Sequence, residues 1–231
     1  MMNRRLRERL TEVEILQIFV DVCEGVAYMH NSRPPLLHRD LKVENILQTS
    51  PTSFKLCDFG SATTVSNPPT NMQEIRALEA DLNRHTTLQY RAPEMVDVHS
   101  KRPVNEKSDV WALGVLLYKL CYYTTPFEEH GPLAILNVQY RIPPYPVYSQ
   151  DMNHLIGAFF VIFFTQQFDF SNGQIRCYAN TVLRGQPFLN FSIMSTVFVA
   201  PSRNSRIIYQ YRHRCYPVVI PTRNPYPHQI L

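Results

Sequence analysis

Four short segments in the first half of the chain constrain its fold more than any other feature of the sequence. They read HRDLKVEN at 38–45, DFG at 58–60, APE at 92–94 and DVWALG at 109–114. A single match of this length could arise by chance, but chance does not readily produce four in a fixed order with apolar runs between them. We therefore expect one folded unit that brings the four segments together.

Apolar periodicity predicts a helix before the first segment and strands after it. Thr11 and Glu14 have the spacing of a capping box, in which each side chain satisfies a free N–H at the helix start. Apolar residues then recur at helical intervals as far as His30. Short β-type runs follow around 46–47 and 54–57, with a polar turn between them. DFG is therefore expected directly after a strand.

The rest of the unit is predicted to be mainly helical. A short helix is expected near 72–83, and Ser108 is predicted to cap a helix over 109–123 that is apolar on nearly every side and therefore buried. Another short helix is expected at 132–137, and Ser149 is predicted to cap the last one. The pattern indicates a helical domain with few strands.

The composition changes at Gly157, and we place a domain boundary there. LIGAFFVIFF, at 155–164, is a run of ten apolar residues, too few to cross a bilayer, which takes roughly 20. Beyond it, aromatic residues are frequent but follow no strand or helix period. We predict a folded domain over 1–156 and a poorly ordered tail over 157–231, of the kind that translation past a splice site would produce.

Charge and cysteine content argue against several classes of function. Lys and Arg number 23 against 19 Asp and Glu, for a net charge of +4, but seven of the arginines and only one acid lie in 157–231. The basic excess belongs to the tail, so we predict no nucleic-acid partner. The five cysteines include no C-x-x-C pair, which indicates reduced thiols in a cytoplasmic protein. No transmembrane segment is predicted.

The first segment resembles the catalytic loop of protein kinases, and the other three resemble further kinase motifs. Phosphoryl transfer depends on positioning and on neutralising charge. The resemblance implies that Asp40 accepts the proton of a substrate hydroxyl and that Lys42 places a cation beside the transferred phosphoryl group. Asn45 and Asp58 would hold Mg²⁺, which prefers oxygen ligands. Leu47 would lie under the adenine, so ATP and Mg²⁺ are the predicted cofactors, with ATP contacted by Leu47, Lys42, Asn45 and Asp58.

Two features resemble serine/threonine kinases rather than tyrosine kinases. Lys42 stands two residues after Asp40, and Thr87, in TTLQYRAPE, matches the family threonine that bridges these two side chains. We therefore count Thr87 with the catalytic residues. The expected partners are ATP and protein substrates that carry Ser or Thr.

The resemblance assigns structural or regulatory roles to six other motif residues: His38, Arg39, Phe59, Gly60, Glu94 and Asp109. His38 and Phe59 would join the apolar column that links the two lobes of a kinase. Asp109 would accept hydrogen bonds from the backbone of the catalytic loop. Arg39 would bind a phosphorylated residue of the activation segment through a charge-assisted pair. Glu94 would pair with an arginine of an Arg-Pro pair near the end of the domain.

Longer stretches resemble the Numb-associated kinase family, which includes the adaptor-associated, cyclin-G-associated and fungal actin-regulating kinases. PPLLHRDLKVENIL, KLCDFGSAT and HTTLQYRAPEMVD carry this resemblance, which covers about residues 1–156. It implies a protein kinase-like α+β fold of which this chain holds only the mainly helical C-terminal lobe. It also implies phosphorylation of endocytic adaptor and actin-patch proteins, with threonine favoured, and an extra helix after APE in MVDVHSKRPVNEKS.

The small lobe of a kinase supplies a Gly-rich loop over the phosphates, a strand lysine and a helix glutamate. Here the seven glycines form no G-x-G, and no V-A-x-K stretch precedes the first helix. No Arg-Pro pair follows residue 157 either. Because catalysis depends on positioning in a water-excluded cleft, we expect little or no kinase activity from these 231 residues alone.

Three hypotheses remain open at this level. The chain is part of an active kinase, or a non-catalytic module that binds family substrates through the surface near Thr87 and 132–137. Alternatively, it is a fragment that does not fold, because apolar surface near His38, Phe59 and Leu47 lies uncovered. The alternative interpretation of Asp40, Asn45 and Asp58 is that they only form turns and helix caps, which Asp and Asn favour. The serines and threonines of 61–66 are interpreted as an ordinary polar loop, with regulatory phosphorylation sites as the alternative.

Overall fold

A computed structural model describes residues 8–65 and 67–161, and the predicted tail from 162 onward lies outside them. The helices of the described part are α1 (Glu12–His30), α2 (Met72–His85), α3 (Pro93–Val96), α4 (Glu106–Tyr122), α5 (Gly131–Asn137) and α6 (Gln150–Val161). Its strands are β1 (Leu36–Leu37), β2 (Ile46–Ser50), β3 (Ser53–Leu56) and β4 (Thr63–Thr64). The prediction of a mainly helical unit with few strands is confirmed.

Helix α1 begins at the predicted capping box. The backbone N–H of Glu14 donates to Thr11 Oγ1 at 3.3 Å, and the backbone N–H of Thr11 donates to Glu14 Oε2 at 2.9 Å. One face of the helix is buried, with Ile15, Phe19 and Val22 fully inaccessible to solvent. This face packs against α4 and β3, so α1 covers one side of the central helix.

Helix α4 is that central helix, and it is buried along almost its whole length, as its all-apolar pattern predicts. The predicted cap, however, is wrong. Asn105 caps the helix by accepting a hydrogen bond from the N–H of Lys107 at 3.0 Å. Ser108 lies inside the first turn, where its hydroxyl donates to Glu94 instead. Asn is as good a cap as Ser, and here it starts the helix three residues earlier.

Helix α6 begins where predicted, because Ser149 Oγ accepts from the N–H of Met152 at 3.1 Å. The helix then continues across the boundary that we placed at Gly157. Phe159 meets Phe19 edge-on at 5.4 Å between ring centroids, and Phe160 lies 5.0 Å from Trp111. These two phenylalanines are buried, so the core of the lobe includes the first residues of the apolar run.

The contact between α4 and α6 is very close at Gly114. A Cβ atom at this position would lie 2.6 Å from Cβ of Phe159, nearer than two carbon atoms can approach. The absence of a side chain at Gly114 therefore allows Phe159 to seat against α4.

Two short antiparallel ribbons flank the motif segments. Strand β2 pairs with β3 in the register Ile46 with Leu56, and β1 pairs with β4 in the register Leu37 with Thr63. The first ribbon joins the end of HRDLKVEN to the start of DFG. The second holds the chain before HRD beside the chain after DFG. The ribbons thus place these two segments next to each other.

The predicted helix near 72–83 is present as α2, and it precedes APE. The extra helix that the resemblance implied after APE is not found there. The stretch after APE forms only the single turn α3 and a 3₁₀ turn at Val98–Ser100. Val98 and Val104 are buried in that stretch, so its apolar residues pack into the core without forming a long helix. The long amphipathic helix near APE is α2, which precedes it and buries Ile75 and Leu82.

Candidate active site

Asp109, in the first turn of α4, fixes the backbone on which the site is built. Its Oδ2 accepts from the N–H of His38 at 2.8 Å, and its Oδ1 accepts from the N–H of Arg39 at 2.8 Å. Nε2 of His30 lies 2.9 Å from the same Oδ2. Arg39 has a φ of 65°, in the left-handed region that costs a non-glycine residue free energy. The two backbone hydrogen bonds that Asp109 accepts offset that cost and set the direction of the next residue, Asp40.

The carboxylate of Asp40 is the centre of a closed set of polar contacts. Thr87 Oγ1 donates to Asp40 Oδ1 at 2.7 Å, and Lys42 Nζ lies 2.7 Å from Asp40 Oδ2. Lys42 Nζ also donates to Thr87 Oγ1 at 3.1 Å. Asn45 Nδ2 donates to the backbone carbonyl of Asp40 at 2.8 Å and to its Oδ2 at 3.2 Å. Three side chains thus hold one carboxylate in a single orientation.

These contacts also control the charge of Asp40. Burial acts to raise the pKa of its carboxyl, but the hydrogen bonds from Lys42 and Thr87 outweigh it and lower the pKa below its ordinary value of 3.8. Asp40 is therefore ionised at neutral pH and keeps the acceptor capacity of a carboxylate.

Asn45 and Asp58 keep oxygen atoms available for a cation. Asn45 is oriented by its Nδ2, which makes both hydrogen bonds to Asp40. Asp58 is exposed, has a φ of 60°, and accepts the N–H of Gly60 at 3.3 Å. The N–H of Cys57 donates to the carbonyl of Asn45 at 2.9 Å, which ties DFG to the catalytic loop. Two oxygen-bearing side chains suit Mg²⁺, which binds through one or two protein ligands and the phosphates of a substrate.

The side chains expected to meet a small lobe differ from one another in exposure. Leu47 is 54% exposed and Phe59 is 53% exposed. His38, which we also expected on this surface, is fully buried beneath Phe59, with 5.5 Å between the two ring centroids. Nε2 of His38 lies 3.2 Å from the carbonyl oxygen of Cys57, so the ring is turned toward the backbone just before DFG and away from solvent.

Arg39 does not present an open guanidinium to a phosphate. Its Nε donates to the carbonyl of Ser61 at 2.7 Å, and its Nη1 pairs with Asp81 on α2. Sequence reasoning missed Asp81. The spacing of Asp81 and His85 could have suggested a pair within one helix, but no local signal relates Asp81 to Arg39, which lies 42 residues earlier.

Glu94 of APE is almost fully buried at the start of α3, with 3% of its surface exposed. Its Oε1 accepts from Ser108 Oγ at 2.5 Å, whereas its Oε2 has no hydrogen-bond partner among residues 8–65 and 67–161. Burial raises the pKa of Glu94, and the hydrogen bond from Ser108 opposes this only in part. Within this part of the chain, Ser108 takes the place of the predicted arginine partner.

An Asp held by Lys and Thr, beside an Asn and the Asp of DFG, on a helical lobe defines the class of protein: a protein kinase. The sequence profile of the protein kinase domain matches residues 1–160. The chain belongs to this family, as the motifs predicted.

Fungal kinases are among its relatives. The chain is 56% identical over 157 residues to serine/threonine-protein kinase ppk30 of Schizosaccharomyces pombe, a match that covers 68% of this chain and 16% of that protein. It is 54% identical over 155 residues to actin-regulating kinase 1 of Saccharomyces cerevisiae, which covers 67% of this chain and 24% of that one. Actin-regulating kinase PRK1 of the same yeast is 50% identical over 155 residues, covering 67% and 19%. The chain thus spans less than a quarter of these relatives, and the predicted resemblance to fungal actin-regulating kinases is confirmed.

Neither a membrane-spanning helix nor a metal-binding cluster is found among the described residues. None of the helices found in 8–65 and 67–161 has the length and apolar character needed to cross a membrane. The same residues hold no group of three or more His, Cys, Asp or Glu arranged for a metal ion. A structural zinc-type centre is therefore not found in this lobe, and the Asn45–Asp58 pair is its candidate cation site.

Proposed function

We propose that this lobe belongs to an enzyme that transfers the γ-phosphoryl group of ATP to serine or threonine in proteins. The observation that carries the proposal is the arrangement at Asp40, whose carboxylate is ionised and held by Thr87, Lys42 and Asn45. Such a group can orient a hydroxyl in line with a phosphate, which is most of what phosphoryl transfer requires of a protein.

In the proposed reaction the substrate hydroxyl oxygen forms a bond to the γ-phosphorus of ATP. The bond from that phosphorus to the β,γ-bridging oxygen breaks, ADP leaves, and the hydroxyl proton passes to Asp40. Because the pKa of Asp40 is lowered, its carboxylate is a weak base and takes the proton late, after it has oriented the hydroxyl. Lys42, 2.7 Å from Asp40, is placed to neutralise charge on the transferred group.

Asn45 and Asp58 would hold Mg²⁺ in this proposal, and the ion would neutralise charge on the phosphates of ATP. Asn45 is fixed by its two hydrogen bonds to Asp40, and Asp58 by the N–H of Gly60. Leu47, 54% exposed, offers an apolar surface for the adenine. These side chains fit ATP and Mg²⁺ from one side.

We also propose that the 231 residues alone transfer phosphate very slowly. Leu47 and Phe59 are each more than half exposed, so the lobe leaves one face of a bound nucleotide in water. Effective positioning and exclusion of water lower the activation free energy by about 7–11 kcal/mol in favourable cases. Loss of half the cleft removes a large part of this reduction. We expect a rate at least about 1,000-fold below that of a complete kinase.

The experiment joins the small lobe of actin-regulating kinase 1 ahead of Met1 and measures phosphate transfer to a threonine peptide. We expect the joined protein to be active and the Asp40→Asn variant to lose at least about 100-fold in rate. The exposed Glu129, which follows all four motifs in the sequence, serves as a control, and Glu129→Gln should not change the rate. An inactive joined protein, or an Asp40→Asn variant with full activity, would contradict the proposal.

For the parent protein we propose substrates among cytoplasmic proteins of the actin cytoskeleton and endocytic adaptors. The names of two relatives, which call them actin-regulating kinases, support this class. The test compares phosphorylated threonine sites in cells that contain the active joined protein with those that contain its Asp40→Asn variant. Sites that depend on Asp40 should lie mainly in actin-associated and endocytic proteins, and an unrelated set of proteins would contradict the assignment.

A non-catalytic binding role is a second candidate. Leu88, directly after Thr87, is 44% exposed, and Leu133 on α5 is 69% exposed. Apolar side chains exposed at these two positions would bind a substrate protein without ATP. If this role is correct, the 231-residue chain should bind the same proteins with and without ATP, and Leu133→Glu should weaken that binding.

A further inference from the structure

The side chain of Arg39 joins three separate segments of the lobe. It arises from the catalytic loop, its Nε donates to the carbonyl of Ser61 just after DFG at 2.7 Å, and its Nη1 pairs with Asp81 on α2. Only 9% of the Arg39 side chain is exposed. A buried guanidinium needs an anionic partner, and here that partner is a carboxylate of the chain itself.

Both oxygens of Asp81 are used in this contact. Oδ2 pairs with Arg39, while Oδ1 lies 2.8 Å from Nδ1 of His85, one turn further along α2. Burial acts to raise the pKa of Asp81, but the hydrogen bond and charge of Arg39 outweigh it and lower the pKa. Asp81 is therefore ionised at neutral pH and oriented from two sides.

The helix that carries Asp81 is itself fixed at its end. Arg91, just before APE, donates from Nε to Thr86 Oγ1 at 2.7 Å, from Nη1 to Asn83 Oδ1 at 3.0 Å and from Nη2 to the carbonyl of Leu82 at 3.0 Å. Leu82 is also buried, with 1% of its surface exposed. The last turn of α2 is thus a rigid support, from which Asp81 meets Arg39 without the freedom of a loop side chain.

We propose that Asp81 is a positioning residue that holds Arg39, and through it the catalytic loop and the backbone after DFG, where a phosphorylated side chain would otherwise be required. A phosphate on a residue of the segment after DFG would compete for a guanidinium that is already paired with a carboxylate. Two anions would then compete for the same donor, at the cost of repulsion between them. Order in the segment after DFG therefore does not depend on phosphorylation.

The inference rests on the proposed function only for its consequence in catalysis. Asp40 directly follows Arg39 in the chain, so a displaced Arg39 would move the carboxylate proposed to orient the hydroxyl. The contact itself can be measured without phosphoryl transfer, through the exchange of backbone amide hydrogens.

The experiment compares amide exchange in the 231-residue chain and three variants. For Asp81→Asn we expect exchange at 38–42 and 61–64 to be about tenfold faster, since a charge-assisted hydrogen bond is lost. Asp81→Glu keeps the charge and should stay within about threefold of the unmodified chain. Glu79→Gln removes an exposed charge from the same helix and should change nothing. Exchange in α4 should be equal in all four proteins.

A second arm uses inorganic phosphate as the probe, against chloride at equal ionic strength. In Asp81→Asn the freed guanidinium of Arg39 should bind phosphate, and millimolar phosphate should slow exchange at 61–64 again. In the unmodified chain it should have no effect, because Asp81 already occupies Arg39. A role in packing alone would give neither rescue by phosphate nor rescue by Asp81→Glu.

The proposal is overturned if Asp81→Asn exchanges like the unmodified chain, or if neither glutamate nor phosphate restores protection. It is also overturned if α4 of the unmodified chain shows no protection, because Asp81 would then not be placed beside Arg39. A kinase assay that fails while the expected exchange pattern is present would reject the proposed function and leave this contact standing.

Discussion

Two buried acids, Asp109 in the first turn of α4 and Glu94 in α3, hold two different parts of the lobe, and their oxygens are hydrogen-bonded to different extents. Asp109, 1% exposed, accepts two backbone N–H groups of the catalytic loop and lies beside His30. Glu94, 3% exposed, accepts one hydroxyl, and its other oxygen has no hydrogen bond in the part of the lobe that the structure describes. The catalytic loop is therefore fully supported from within the lobe, whereas the APE segment is not.

The largest effect is expected from the loss of the satisfied acid. Asp109→Ala leaves the buried N–H groups of His38 and Arg39 without acceptors and should lower the free energy of unfolding by about 3–5 kcal/mol. Urea unfolding of the 231-residue chain measures this change. The exposed Glu129→Ala is the control and should stay within about 0.5 kcal/mol of the unmodified chain. If Asp109→Ala lowers the free energy of unfolding no more than Glu129→Ala does, the hydrogen bonds that Asp109 accepts do not stabilise the lobe more than the contacts of Glu94.

A change at the contact between α4 and α6 should have an intermediate effect. Gly114→Ala places a methyl group 2.6 Å from Phe159 Cβ and should cost about 1–3 kcal/mol, because α6 has to move away from α4. Thermal or urea unfolding tests this cost. The orientation of Asp40 depends on other contacts, so its pKa should not change, and a shifted pKa would show that the two regions are coupled.

Loss of charge at the unsatisfied acid should stabilise the lobe slightly. Glu94→Gln removes a buried charge whose Oε2 has no hydrogen-bond partner within 8–65 and 67–161, and should raise the free energy of unfolding by about 1 kcal/mol at neutral pH. The folded pKa of Glu94 is raised from 4.5, so the unmodified chain has its full stability below that value. As pH rises from 4.5 through the folded pKa of Glu94, the unmodified chain loses stability relative to Glu94→Gln. Above the folded pKa, the difference between their free energies of unfolding is constant.

Unfolding measured from pH 4 to pH 8 checks this sign. A difference between Glu94→Gln and the unmodified chain that shrinks as pH rises would mean that the positive charges of Arg102 and Lys107, which lower the pKa of Glu94, outweigh the effect of its burial. Glu94 would then be stabilised as an ion in the folded lobe, and it would no longer differ from Asp109 as a poorly satisfied acid.

An equally small effect on stability is expected at Asp40, in the catalytic loop that Asp109 supports. Thr87→Val removes one hydrogen bond to Asp40 and should cost about 1 kcal/mol, while Thr87→Ser should restore most of it. Because Thr87 lowers the pKa of Asp40, the valine variant should also raise that pKa. A carboxyl titration by NMR measures the shift, and an unchanged pKa in the valine variant would contradict the role of Thr87.

Local features of the fold could be read from the sequence because they depend on neighbouring residues. The capping box of Thr11 and Glu14 and the all-apolar pattern of α4 have local causes, and both are present. The end of the lobe could not be read in this way. Phe159 and Phe160 are buried because Phe19 and Trp111 lie far from them in sequence, and no local pattern at 157 shows this.

In the candidate site, contacts among motif residues could be predicted from the sequence, whereas a contact with a residue outside the motifs could not. The motifs predicted that Asp40, Lys42, Asn45 and Thr87 lie in one site, and the structure places these side chains in contact. The pairing of Arg39 with Asp81 depends on how α2 packs against the lobe, which the sequence does not reveal. The extra helix expected after APE is not found, and the stretch there forms only single turns.

The central claim is that the catalytic loop is assembled within this lobe without help from a second one. The most direct test is the carboxyl pKa of Asp40 in the 231-residue chain, measured by NMR titration. Hydrogen bonds from Lys42 and Thr87 predict a value below 3.8, with the stability they contribute present above that pH and lost as pH falls through the folded pKa. A pKa of 3.8 or higher would show that these contacts do not form in the lobe and would contradict the account.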